Sequence, residues 1–219
     1  LTIVEMSDIF ARSGLGAAGE FVRAASDVSL IRAYDPQARS LEGYLFPDTY
    51  AWPRRQTADE AVHAMVTRFD RAFDSEVRAD AASRGMTVGE VLTLASIVEK
   101  ETGRADERAL VSAVYHNRLT IGMPLQCDPT VIYALMLAGR WTGNLRKVDL
   151  EMKSPYNTYT VRGLPPGPIA SPGRASIEAA IRPADVPYLY FVSRNDGTHA
   201  FARTLAEHNL NVATFQKRR

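Results

Sequence analysis

One cysteine, Cys127, stands in a chain of 219 residues, so no intramolecular disulfide can form and no paired-cysteine zinc site exists. The four histidines, His63, His116, His199 and His208, show no metal-ligand spacing. A metal centre is disfavoured, and no cofactor is called for. Charge of either sign is also without excess: 26 Lys and Arg against 25 Asp and Glu leave a formal net charge of +1. That balance gives no reason to expect nucleic acid or an acidic polymer as partner. Arg54-Arg55 and the terminal Lys217-Arg218-Arg219 are local basic spots, the second read as a solvated end. No apolar run approaches the roughly 18 residues that span a bilayer, and no signal-peptide pattern is visible. The chain opens on Leu1 in mid-pattern and reads as one whose N-terminal part, with any anchor or export signal, has been removed.

Hydrophobic residues make up 46% of the chain, enough for a sizeable core. Residues 1–39 read as a small satellite unit with two short helices, the second within "AAGEFVRAASDVSLIRAY". The aromatic, proline-punctuated "SLEGYLFPDTYAWPR" reads as a strand or loop entering the next unit. A long helix is predicted over 57–84, with Thr57 and Glu60 at capping-box spacing, and Thr87 and Glu90 repeat the signal for the next helix. Asp106 is expected to cap the helix after that. Asp128-Pro129 reads as an N-cap with proline at N1. From about 142 the composition turns to Pro, Gly, Tyr, Asn and Thr. A loop of that length in a folded unit is usually functional or disordered, and its tyrosines argue against disorder. A short helix, a β-hairpin over "YLYFVS", "RNDG" and "THAFA", and a last helix complete the chain. Helices followed by a hairpin predict an α+β fold, mainly helical with a small sheet.

The stretch "LASIVEKETG" carries the sharpest signal. An apolar helical run ends in two acids, Glu99 and Glu101, around Lys100. On a helical wheel both acids fall on opposite shoulders of a broad apolar arc, each roughly 80° from its centre. Ser96, Gly89, Lys100 and Thr93 form the polar arc. A partly buried carboxyl has a raised pKa and remains a proton donor near neutral pH. The plainer reading makes both acids boundary residues paired with Arg104 or Arg108. Periodicity does not choose between the two glutamates.

Five segments, "LASIVEKET", "HNRLTIGMPLQCDPTVIYAL", "SPYNTYTVRGLPPGPIASPG", "YLYFV" and "THAF", together resemble the endolytic murein transglycosylases, the YceG-like family. Their order and spacing hold over about residues 41–216. Cys127 and Arg162 are small departures. Residues 1–39 look like the C-terminal part of that family's LysM-like subdomain, leaving 40–219 as the catalytic domain.

The resemblance implies cleavage of peptidoglycan glycan strands between N-acetylmuramic acid and N-acetylglucosamine, leaving 1,6-anhydromuramic ends. It further implies an enzyme held in the inner membrane by an N-terminal helix missing from this chain. Such an enzyme acts outside the cytoplasm on nascent strands, near the peptidoglycan synthases. The family's essential acid falls on Glu101, because the Glu-Thr pair is similar to the Glu-Ser pair of other lytic transglycosylases. Glu99 is then secondary.

Gln126, Tyr156, Asn157, Thr158 and Tyr159 suit a sugar cleft, the stiff "GLPPGPI" backbone presents carbonyls, and Asn117 is a candidate to orient Glu101. Each has a plain alternative as cap, core or turn. Asp128 is the one attractive second acid, against its reading as a helix cap. His199 reads as a hairpin side chain before a base. Two rival functions remain: a module that binds glycan without cutting it, and a pyridoxal-phosphate lyase. The second needs a Schiff-base lysine and a phosphate cradle, and Lys100 on the polar arc with no glycine-rich loop supplies neither.

Overall fold

The computed structural model describes residues 1–53 and 55–216. Arg54 and the 217–219 tail, two of the basic spots named above, lie outside the described residues. In chain order the elements are α1 (Ile3–Arg12), α2 (Ala18–Ala24), α3 (Ala58–Ala72), α4 (Ser75–Ser83), α5 (Val88–Glu101), α6 (Arg108–Thr120), α7 (Asp128–Leu137), α8 (Arg174–Ile181), β1 (Tyr190–Ser193), β2 (His199–Ala202) and α9 (Leu205–Phe215). Single 3-10 turns add Val28–Ile31 and Lys147–Glu151. The fold is α+β, mostly helical, with β1 and β2 forming a two-stranded antiparallel sheet in the register Phe191 to Phe201.

A repeated local rule starts four of the helices. Thr2, Thr57, Thr87 and Thr204 cap α1, α3, α5 and α9, and in each case a glutamate three residues on reaches back to the cap. The reciprocal bonds satisfy amides that a helix start otherwise leaves unpaired. Two of these boxes, at Thr57 and Thr87, match the expectation from sequence.

The predicted 57–84 helix is two helices. The chain leaves helical geometry at Phe73, and Asp74 then accepts bonds from the amides of Glu76 and Val77 to start α4. A short acceptor followed by Ser and Glu is an N-cap signal in its own right, and it outweighs the continuing apolar period. The second satellite helix is likewise split into α2 and a 3-10 turn, with Asp27 accepting from the Ser29 amide. Glu107, not Asp106, occupies the cap position of α6; Asp106 instead binds the Arg104 guanidinium at 2.9 and 3.0 Å. Residues 41–53 form turns without a strand.

Helix α5 is the axis of the molecule. Residues 91–98 are buried without interruption, so the helix is enclosed on all sides. Its polar arc is therefore not a solvated face: Thr93 and Ser96 are buried, Thr93 bonds to the Gly89 carbonyl, and Ser96 accepts the Ile169 amide at 3.0 Å. Of that arc only Lys100 is exposed. Helix α8 lies along α5, while α4, α6 and α7 also pack on it. Side chains from Ile3, Phe10, Phe21 and Ile31 join Leu92, Leu94, Val111 and Ile177 in one continuous core. Each such side chain contributes about 2 kcal/mol of burial free energy. Gly43 brings the early chain onto the proline loop: its φ is +88°, and a Cβ there would stand 2.5 Å from Pro168.

Candidate active site

The buried axis delivers Glu101 to its last turn, where the chain leaves helical geometry at Thr102. The carboxyl is half-buried. The Tyr115 hydroxyl, from the adjacent helix α6, donates to Glu101 Oε1 at 2.6 Å. Cys127, on the loop entering α7, is buried, and its thiol lies beside Glu101 and Tyr115. Burial pushes the Glu101 pKa up from 4.5, partly offset by the Tyr115 and Cys127 donors and by His199, while Asp128 pushes the same way as burial. Burial also raises Tyr115 and Cys127 well above their ordinary values, so both stay neutral donors. Burial thus favours the protonated form of Glu101, and the Tyr115 hydroxyl is placed to stabilise the carboxylate once the proton leaves.

Two further elements close the site. Glu107, buried at the start of α6, accepts the His199 amide at 2.9 Å and binds its Nδ1 at 2.7 Å, which ties β2 to α6. The ring of Phe191 on β1 stands edge-on to Tyr115 at 6.0 Å and to His199 at 5.4 Å. On the other side, the YNTY segment latches the loop that carries Cys127. The Thr158 hydroxyl accepts the Cys127 amide at 3.0 Å and bonds Thr130 at 2.9 Å, and the Thr158 carbonyl accepts the Gln126 amide. Gln126 is held at φ 49°, in the left-handed region that a glutamine seldom adopts, and its side chain is exposed. Such backbone strain costs on the order of 1–3 kcal/mol and persists where surrounding contacts impose it.

A profile of the YceG-like family matches residues 1–214. The chain belongs to the YceG-like family. It is similar to the endolytic murein transglycosylase of Bacillus subtilis, at 40% identity over 169 residues, and to that of Streptococcus pneumoniae, at 37% over 176. These alignments cover 77% and 79% of this chain but 46% and 32% of the relatives, so the chain spans less than half the length of either. A crystal structure of a yceG-like protein from Listeria monocytogenes superposes with a TM-score of 0.85 at 35% identity, covering 96% of this chain and 73% of that one.

Within this YceG-like fold the two glutamates of the ExE segment part company. Glu99 Oε2 accepts the Gly173 amide at 3.2 Å and the Ser176 hydroxyl at 2.6 Å. It thereby caps α8, whose own cap residue, Gly173, has no side chain to do so. Glu99 is a structural acid and not a second proton donor. Neither glutamate pairs with arginine: Arg104 binds Asp106, and Arg108 reaches the Gly103 carbonyl.

Several other expected sugar ligands are engaged with protein groups or lie away from Glu101. Asn117 gives its amide to the carbonyls of Val186 and Tyr188, so Tyr115, two residues earlier, orients Glu101 instead. Asn157 is fully buried; it donates to the carbonyls of Leu150 and Met152 and accepts the Tyr159 amide. Thr158, also buried, is the latch. Tyr156 packs on Tyr133 at 4.9 Å and lines a 440 Å³ hollow together with Pro165, Pro166, Pro168 and the first turn of α5. That is the opposite end of α5 from Glu101, about 20 Å away along the helix. Tyr159 and the exposed Gln126 remain on the Glu101 side. Asp128 does not cap α7: Cys127 holds the cap position, and the Asp128 carboxylate accepts the Tyr159 hydroxyl at 2.5 Å.

Tyr115, Glu107 and the Cys127 thiol were not singled out from sequence. Only Tyr115 left a signal, a hydroxyl beside Ser112 among the buried positions of α6. Among the described residues no cluster of three His, Cys, Asp or Glu side chains can hold a metal ion, and no helix is long and apolar enough to cross a membrane.

Proposed function

We propose that this chain is the catalytic part of an endolytic peptidoglycan lytic transglycosylase. It would cleave the bond between N-acetylmuramic acid and N-acetylglucosamine and leave 1,6-anhydromuramic ends. The observation that carries this reading is Glu101 at the end of a buried helix, its carboxyl raised by burial and bonded by Tyr115. The reaction needs one group that is an acid first and a base second. Glu101 protonates the glycosidic oxygen as it departs, and the Tyr115 hydroxyl stabilises the carboxylate left behind. That carboxylate takes the proton of the muramic C6 hydroxyl as its oxygen closes on C1. The attacking group is already on the substrate, so closure benefits from proximity and needs no positioned water.

Glycan strands are the substrate in this reading, with Gln126 and Tyr159 at the rim. The enzyme belongs on the extracytoplasmic side of the inner membrane, anchored by a segment N-terminal to this chain, near the peptidoglycan synthases that supply nascent strands. Residues 1–39 are read as the end of a LysM-like subdomain. The likeness to the two named transglycosylases supports the glycan substrate, while the location, the anchor, the synthase partners and the LysM-like unit rest on the family resemblance alone.

The test is a digest of purified peptidoglycan with wild type and Glu101→Gln, the ends read by mass spectrometry. Anhydromuramic ends from wild type alone are expected. Reducing ends would mean a hydrolase. Glycan retained by a folded wild type without cleavage would mean a binding module.

A further inference from the structure

The loop entering α7 holds an acid that the one-acid reaction leaves idle. Asp128 is exposed, follows directly on the buried Cys127, and its charge acts on Glu101. It does not cap its helix. Its hydrogen bond comes from the Tyr159 hydroxyl, at 2.5 Å. Among the described residues it has no ion-pair partner. The buried Arg118 behind the loop gives its donors to the carbonyls of Pro124, Leu125 and Leu189.

The placement is built, not incidental. Tyr159 is fixed by its amide bond to Asn157 Oδ1 at 2.9 Å, and Asn157 is itself anchored on two buried carbonyls. Thr158 holds the Cys127 amide, Gln126 is fixed in the left-handed region, and Arg118 ties the Leu125 carbonyl to α6, whose Tyr115 bonds Glu101. The Asp128 charge opposes ionisation of Glu101. A carboxylate without a cationic partner beside a carboxyl raised by burial is the arrangement that serves a passing positive charge.

Resting on the lytic transglycosylase reading above, we infer that Asp128 is a second acid of this reaction: its carboxylate, held by Tyr159, faces the muramic ring and stabilises the positive charge that grows on C1 and the ring oxygen. Asp128 exchanges no atom. The Glu101 proton goes to the leaving oxygen, which keeps the electron pair of the broken C1–O bond. The C6 oxygen bonds to C1, and its proton returns to Glu101. Developing charge met by a fixed countercharge in a partly dry site is where electrostatic stabilisation is strongest.

The titratable and charged groups around this point are Glu101 from α5, Tyr115 and Arg118 from α6, Cys127 and Tyr159 from the two loops, and His199 from β2. The experiment compares wild type, Asp128→Asn and Tyr159→Phe on soluble uncrosslinked glycan strands, measuring kcat and KM across pH and the chemistry of the ends. Asparagine keeps the size of the side chain and the Tyr159 contact. Its kcat is expected to fall roughly 100-fold, the scale of losing one preorganised electrostatic contact, with KM little changed. Phenylalanine at 159 releases the Asp128 carboxylate from its tether, and kcat is expected to fall roughly 10-fold, again with KM little changed. Wild-type kcat in Asp128→Asn, or a loss confined to KM, overturns the role of Asp128 alone. Tyr159→Phe decides the matter should the asparagine variant fold poorly, since an unchanged kcat there overturns it too. A wild type that leaves no anhydromuramic ends overturns the reading of the site, and this inference with it.

Discussion

The Tyr115 hydroxyl donates to Oε1 of Glu101 at 2.6 Å, which leaves Oε2 as the oxygen without a protein hydrogen bond among the described residues. The bond also favours the charged form and so restrains the rise that burial causes in the Glu101 pKa. Tyr115→Phe keeps the ring against Phe191 and removes the hydroxyl alone. Two changes of opposite sense are expected. The alkaline limb of the kcat profile moves to higher pH, because Glu101 holds its proton longer. The maximal rate falls about 10- to 100-fold, because a hydrogen bond to a charged group contributes about 1.5–3 kcal/mol. A rate loss without the upward limb would mean that Tyr115 only packs.

Glu99 and Glu101 stand two residues apart and have separate tasks, so their substitutions separate too. Glu99→Ala removes the acceptor for Gly173 and Ser176 at the start of α8. The expected cost is about 1 kcal/mol of stability, that of a lost helix cap. The anhydromuramic yield per folded molecule should stay at the wild-type level. Thermal unfolding and end analysis on the same samples check both halves, and a loss of turnover at unchanged stability would return Glu99 to the chemistry.

Which parts of this could be read from the chain follows from the range of the forces involved. Capping boxes and the Asn195–Gly197 hairpin turn are local, and local signals carried α3, α5 and the sheet. The break at Asp74 was equally local but lay inside a continuing apolar period. The wheel of α5 failed in a different way. It placed Thr93 and Ser96 on a solvated face, yet both are buried, because their hydroxyls are satisfied by carbonyl and amide groups near at hand and far along the chain. Periodicity cannot report a hydrogen bond to residue 169.

The site shows the same division. Motif resemblance brought out Glu101 and the YNTY segment, but not which side chains of that segment face outward. Asn157 and Thr158 look like sugar ligands by type, and the fold turns both inward to hold Tyr159 and Cys127. Tyr115 reaches Glu101 only because α6 crosses the end of α5, a relation of packing that no spacing encodes.

Glu42 tests the energetics away from the chemistry. It is 6% exposed, accepts the Ile3 amide at 3.2 Å and the Tyr133 hydroxyl at 3.3 Å, and burial pushes its pKa up to about 7 from 4.5. A raised carboxyl pKa means that the folded state binds the proton more tightly than the unfolded chain. The Glu42 contribution to stability is therefore fully present below about pH 4.5 and is lost as pH rises toward 7. The shift corresponds to roughly 3 kcal/mol at 1.36 kcal/mol per pKa unit. Glu42→Gln stays neutral at every pH and should lose this slope, so wild type and variant diverge between pH 5 and 7 (roughly the span between the two pKa values). Urea unfolding at a series of pH values measures it directly. Parallel curves for the two proteins would show that Glu42 is ionised in the folded state and that its amide and hydroxyl partners outweigh its burial.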